Sequence, residues 1–327
     1  MAAGVSADLL EIPISSMRYD VTMPLLEGRI AIDGVKLVPA KTSSMVGKDM
    51  PELREGRFGL WDLNLGYWLA AIDAGWDLVA LPVFPKRKSV LPMIFCRRDR
   101  GIAAPKDLAG KRVGTRQYRT AVTLWASGML EDFYGLDAGA INWVTQTAHH
   151  FPLHEVGTKL EMIGDGKPTL DLLLDGDIDA LITDISDGAM FAKLESSAQV
   201  MRLFADYEAE DLKLWREQRI FPPMHVMVMS GRLDRDNPGL ARRLYDGFVK
   251  AKQLAEQDIA GDRAGFSILY LRERFRRQQE MWGDPMVYGM TANRVLMDAF
   301  RRYNHRQGAT RALLAEERIF ATGTLDT

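Results

Sequence analysis

The sequence predicts an α/β protein of two lobes, each a mostly parallel sheet flanked by helices. Three observations carry that prediction. Apolar, strand-like runs alternate with segments of helical period along most of the chain, the pattern of a parallel sheet with helices on both faces. The pattern stops at Asp99-Arg100-Gly101 and restarts beyond it, so there are two such blocks. Pro222-Pro223 ends the second block, and Met224 to Met229 then reads as a strand returning to the first. Two crossing strands, near 96 and 226, therefore join the lobes: 1–95 with 226–327 as the first, and 96–225 as the second.

In the first lobe, short strands are expected at Met17 to Met23 and Val35 to Val38. A short helix follows over Asp49 to Glu55, then a strand over Arg57 to Leu63 and a helix over Leu65 to Ala74 that Gly75 ends. Asp77 to Phe84 is nearly all apolar, as a strand covered on both faces should be. Val90 to Arg98 is the first crossing strand. In the second lobe, strands are expected at Lys111 to Thr115, Ile141 to Val144, Ile178 to Thr183 and Val200 to Phe204. Helices fall between them, at Tyr118 to Tyr134, Thr169 to Leu174 and Ala209 to Gln218. The remainder is helical: Pro238 to Asp258, Gly265 to Met281 with a basic face, Thr291 to Tyr303 and Thr310 to Ile319.

The stretch Gly110 to Trp125 organises the functional reading. Gly110 to Thr115 is a turn and strand; from Thr120 onward, Ala121, Leu124, Trp125, Gly128 and Met129 recur at i, i+3, i+4, i+7 and i+8. Gly135 closes that helix. A strand, a tight turn and a helix N-terminus present unpaired N–H groups and the positive end of a dipole, and a carboxylate is the natural guest. In α/β sheets, ligands sit beyond the carboxyl ends of the strands. That rule selects Tyr19 to Thr22, Asp62 to Gly66, Pro85 to Ser89, Thr115 to Thr120, Thr145 to His150, Thr183 to Asp187 and Pro222 to His225.

Composition excludes several classes. The 327 residues are 47% hydrophobic and 26% charged, with a net charge of −2, so nothing suggests a polyanion partner such as nucleic acid. A lone cysteine, Cys96, rules out a disulfide framework and a thiolate zinc site. No apolar run approaches the ~20 residues of a membrane span. The N-terminus lacks a basic segment followed by an apolar one, and a cytoplasmic protein is the expectation. There is no P-loop, GxGxxG or GxSxG motif. Assembly into a homo-oligomer is compatible with all of this.

Ala104-Pro105-Lys106-Asp107-Leu108-Ala109-Gly110-Lys111-Arg112-Val113-Gly114 resembles the opening of the second lobe of the type II periplasmic-binding-protein fold. A narrower resemblance covers most of the chain. Tyr19-Asp20-Val21-Thr22, Pro82-Val83-Phe84-Pro85, Gly110 to Trp125, Gly176-Asp177-Ile178-Asp179-Ala180-Leu181 and Arg202-Leu203-Phe204 look like the 4,5-dihydroxyphthalate decarboxylase family. So do Ile220 to His225 and Asp284 to Gly289 with Asn293-Arg294. The chain departs from that pattern at Lys86-Arg87-Lys88-Ser89, Thr145 to His150 and Asp184 to Asp187. The resemblance implies a cytoplasmic enzyme that removes one carboxylate from an aromatic diacid.

That chemistry calls for a general base, a general acid and cationic clamps for the carboxylates, and in principle no metal or organic cofactor. His225, after Pro222-Pro223 at the mouth of a crossing strand, is the leading proton-transfer candidate, with His149 as a second and Asp20 to orient a histidine or take a phenol proton. Each is equally readable as structural, His225 as a packed imidazole and Asp20 as a loop cap. His149, His150 and His154 invite a metal reading, but Pro152 interrupts any helix that would align them. Lys86 and Arg87 are expected to clamp one carboxylate of an aromatic substrate, and Arg116 or Arg119 the other. Tyr118, Thr120 and Asp184 complete the expected binding set, with a plain N-cap as the alternative for Thr120.

Overall fold

The computed structural model describes residues 9–40, 50–146, 150–154, 157–164, 166–183 and 188–327. Among the described residues, twelve strands form two sheets. They are β1 (Leu10–Ser15), β2 (Val35–Pro39), β3 (Leu60–Asn64), β4 (Leu78–Ala80), β5 (Lys86–Arg87), β6 (Ile94–Arg97), β7 (Arg112–Thr115), β8 (Asn142–Thr145), β9 (Lys159–Met162), β10 (Ala180–Ile182), β11 (Val200–Arg202) and β12 (Pro223–Ser230). The helices are α1 (Met23–Leu26), α2 (Met50–Arg54), α3 (Leu65–Asp73), α4 (Ala121–Tyr134), α5 (Thr169–Asp175), α6 (Gly188–Ser196), α7 (Tyr207–Gln218), α8 (Gly231–Asp236), α9 (Leu240–Ala260), α10 (Leu271–Trp282), α11 (Met290–Arg306) and α12 (Glu316–Ile319).

The first sheet runs β2-β1-β3-β12-β4, with β5 also on β12; the second runs β11-β6-β10-β7-β8-β9. The pairs β1–β2, β1–β3, β7–β8, β7–β10 and β8–β9 are parallel, as in a sheet built from strand–crossover–strand units. Strands β12 and β6 run antiparallel to their neighbours. The chain passes to the second sheet between β5 and β6 and returns between β11 and β12.

The first strand is not where the sequence placed it. Leu10, Ile12 and Ile14 alternate at period two and form β1, whereas 17–22 is a loop that runs into α1 behind Pro24. Helix α10 starts at Leu271 rather than Gly265, and the helix expected from Pro238 is α9, which starts at Leu240 after a Gly239 turn at φ 79°; α8 is a separate short helix that precedes it. Strands β5 and β9 carry too little apolar signal to be read in advance, Lys159–Met162 being largely exposed.

Helix α4 belongs to the second block by sequence but is packed into the first. Its Trp125 stacks on Phe300 of α11 at 4.9 Å and 25°, and the Trp125 indole N–H donates to Pro223 O at 2.9 Å. Gly128 lets the helix approach α11 closely, since a Cβ there would lie 2.2 Å from the Tyr303 ring. One continuous buried cluster therefore includes Leu63, Trp68 and Val226 from the first block and Val113, Leu124 and Trp143 from the second.

Candidate functional site

Strand β3 carries a charge inside an apolar run. Leu60 and Met227 lie on one side of the sheet and Trp61, Leu63 and Val226 on the other. Asp62 shares the Leu60 side, in register with Met227, and Asn64 lies opposite His225. The alternation thus brings Asp62, Asn64 and His225 to one face at the carboxyl end of the sheet.

Asp62 is fully buried, and its carboxylate is compensated by three donors. The His225 Nδ1 lies 2.6 Å from Oδ1; the Tyr19 hydroxyl donates to Oδ2 at 2.7 Å, and the Met17 N–H donates to Oδ2 at 3.3 Å. Tyr19 also sits 3.4 Å from His225 Nδ1. Burial, then the adjacent Asp62 charge, pushes the Tyr19 phenol far above its ordinary range, so it stays a donor. A carboxylate can only accept, which assigns a proton to His225 Nδ1 and leaves Nε2 for a ligand. The His225 side chain keeps 15% of its surface in solvent.

Above this cluster the two blocks meet. The Asn64 Oδ1 accepts from Gly66 N at the start of α3 and from Ala121 N at the start of α4, each at 3.1 Å. A Cβ on Gly66 would lie 2.0 Å from Arg119 O, so glycine is required for this approach. Two helix N-termini, and their partial positive charge, are drawn to one seam. At its edge the Tyr67 hydroxyl donates to Gln117 Oε1, and the Tyr67 ring lies 5.8 Å from that of His150. Burial pushes the Tyr67 phenol up to about 12, partly offset by the nearby charges of Arg116 and Arg119.

Several expected site residues serve other roles. Arg87 is buried, donating to Phe221 O at 3.0 Å, to Val287 O at 2.8 Å and to Asn293 Oδ1. It fastens β5 to the start of α11 instead of facing a substrate, and desolvation lowers it to about 10. Arg119 is likewise interior, donating to Ala309 O, Phe151 O and Pro152 O. Tyr118 is buried edge-on against Trp143 at 5.1 Å, its hydroxyl bonded to Thr158. Thr120 is the N-cap of α4, accepting from Thr123 N at 3.4 Å. Asp20 accepts from its neighbour Val21 N at 2.9 Å and lines a groove between α9 and α10. Arg87 and Arg119 thus tie a strand and a turn to segments far along the chain, with backbone carbonyls supplying most of the acceptors.

Lys86 lies opposite His225 in register, half-buried, and Arg116 is exposed at the end of β7. His149 and Asp184 fall outside the described residues. His154 pairs with Asp73 at 3.3 Å, and no group of three or more metal-ligating side chains occurs among the described residues. No helix among them is long and apolar enough to cross a membrane.

Two sheets, helices on their faces and a polar seam at the carboxyl ends define a periplasmic-binding-protein-like architecture. The solved structures agree. SsuA, the periplasmic sulfonate-binding protein of Methylobacillus flagellatus KT, superposes with a TM-score of 0.59 at 13% identity, over 96% of this chain and 92% of that one. The aliphatic sulphonate binding protein SsuA of Escherichia coli gives 0.53 at 14%, over 97% and 99%. In sequence the chain is similar along nearly its whole length to 4,5-dihydroxyphthalate decarboxylase of Comamonas testosteroni: 26% identity over 338 residues, covering 97% of this chain and 98% of that protein. The Pseudomonas putida protein of the same name is 29% identical over 189 residues, covering 53% of this chain and 70% of its own. No family model matches the chain.

Proposed function

We propose that this protein is a carboxy-lyase acting on a hydroxylated aromatic diacid, with 4,5-dihydroxyphthalate converted to protocatechuate and carbon dioxide. The Tyr19–Asp62–His225 cluster carries the reading: a buried carboxylate orients an imidazole at the seam where two helix N-termini meet. The full-length similarity to proteins named for that reaction supports the substrate.

In this scheme the imidazolium of His225, held by Asp62, gives the Nε2 proton to the ring carbon that bears the departing carboxylate. The ionised para hydroxyl feeds its electrons into the ring and becomes the ketone of a dienone. The bond to the carboxylate then breaks; its electron pair restores the aromatic ring and the phenolate, and carbon dioxide leaves. Lys86, beside His225, and Arg116, beside Tyr67, receive the two carboxylates, assisted by the amides at the starts of α3 and α4. The scheme runs on side chains alone and carries with it a cytoplasmic location, where such catabolic diacids are processed.

The test is to incubate the purified protein with 4,5-dihydroxyphthalate and follow protocatechuate and carbon dioxide. His225→Gln is expected to lower kcat by roughly 10²–10⁴-fold. Calorimetric binding of the diacid with no turnover would replace the enzyme with a solute-binding protein.

A further inference from the structure

Helix α10 buries none of its residues. A 12-residue helix is marginal in water unless an apolar face is covered. The turn before it is more exposed still: Leu269 and Tyr270 keep 79% and 72% of their surface, Ile268 53%, Phe266 49%, and Met281 near the helix end 50%. These five are half of the large exposed hydrophobics among the described residues, gathered into one short segment. Tyr270 holds a left-handed φ of 58°, uncommon for an aromatic side chain.

Both ends of the arm are anchored. Arg263 pairs with Asp258 at the end of α9, at 3.2 Å, and the Trp215 indole N–H donates to Trp282 O at 2.7 Å. Between the anchors, a cavity of about 360 Å³, walled by Val21, Ile259, Leu271 and Phe275, lies between α10 and α9. Helix α10 contacts α9 and α7, with Leu271, Phe275 and Trp282 half-buried, and leaves its remaining residues facing outward.

We propose that the arm 262–282 is the interface through which two copies of this chain associate. Its composition is that of a protein–protein contact: aromatic residues, methionine and five arginines (263, 272, 274, 276 and 277), with no lysine. Glu273 and Glu280, the latter paired with Arg276, interrupt the positive charge, unlike the uniformly basic face that an anionic membrane selects. Taking about 200 Å² for each full side chain, the five apolar residues leave roughly 600 Å² in water. The arginine stems bring that to the approximately 800 Å² per partner of a standard interface. The inference stands on this surface and is independent of the decarboxylase reading.

Sedimentation velocity on the full chain at micromolar concentration tests it. The wild type is expected to sediment as a dimer or a multiple of one. L269D/Y270D is expected to sediment as a single chain, with unchanged far-UV dichroism and thermal midpoint, its association weakened at least about thirtyfold, as for loss of an interface hot spot. The milder pair I268S/L269S should also dissociate it. A wild type that is monomeric at that concentration, or folded variants that keep the wild-type mass, would overturn the proposal.

Discussion

Asp62 illustrates how one side chain sets the chemistry of another. Its carboxylate has no water to fall back on, so each of its donors is held in place, and the His225 tautomer with them. Asp62→Asn keeps the shape but offers an amide in place of an anion to the imidazole. In the decarboxylase assay the expected outcome is a kcat reduced by at least about 10²-fold with KM little changed. A KM effect alone would place Asp62 in binding. Arg87 makes the opposite case. Arg87→Met removes three hydrogen bonds from buried or partly buried acceptors and should destabilise the fold by about 2–4 kcal/mol in urea unfolding, while KM of the folded enzyme stays within about twofold. A raised KM at full stability would restore Arg87 as a carboxylate clamp.

At the level of elements, α7 shows what packing charges a polar group. Asp211 is buried where α7 meets the segment before β6, hydrogen-bonded with Ser89. Desolvation raises its carboxyl to about 6, with Ser89 opposing and the Glu208 and Glu210 charges reinforcing the rise. The native state therefore holds this proton more tightly than the unfolded chain does. The group's contribution to stability is complete below the ordinary carboxylate range and is lost as pH rises through about 6. Asp211→Asn keeps the contact without the charge. It should be more stable than the wild type at neutral pH by on the order of 2 kcal/mol, and the gain should vanish near pH 4 in denaturant titrations. A gain independent of pH would mean that ionisation of Asp211 is not the cause.

For the whole molecule, the decisive fact is that the two sheets share a core. Helix α4 follows β7 of the second sheet, yet its Trp125 and Gly128 are embedded against β12 and α11. Unfolding either block would strip the other of buried apolar surface, worth about 25 cal/mol per Å². A single cooperative thermal transition is expected, with tryptophan fluorescence and far-UV dichroism coinciding. Two resolved transitions would show that the lobes are energetically separate.

Legibility followed the range of the interactions involved. The helix over 121–134 could be read with its cap at Thr120 and its stop at Gly135, because helical period, capping hydroxyl and a left-handed glycine act within a few residues of one another. The rule for strand ends picked out the segments beginning at Tyr19 and Asp62, and so reached the site, but gave no reason to single out those two side chains. A carboxylate alone in the apolar run Leu60-Trp61-Asp62-Leu63 was the signal available. Arg87 and Arg119 carried the type of side chain a clamp needs, and sequence cannot distinguish a guanidinium facing a ligand from one facing carbonyls far along the chain.

The sequence by itself determined the alternation of strands and helices, the two blocks, the tight turn before α4 and His225 at a strand mouth, since these depend on periodicity, turn chemistry and local capping. Only the tertiary structure decided that Asp62 and Tyr19 hold that histidine, that Asn64 joins two helix starts, and that the expected arginine clamps are interior ties. Those facts depend on strand register and on contacts between residues far apart in the chain, which hydrophobic packing of the whole molecule fixes and no local pattern records.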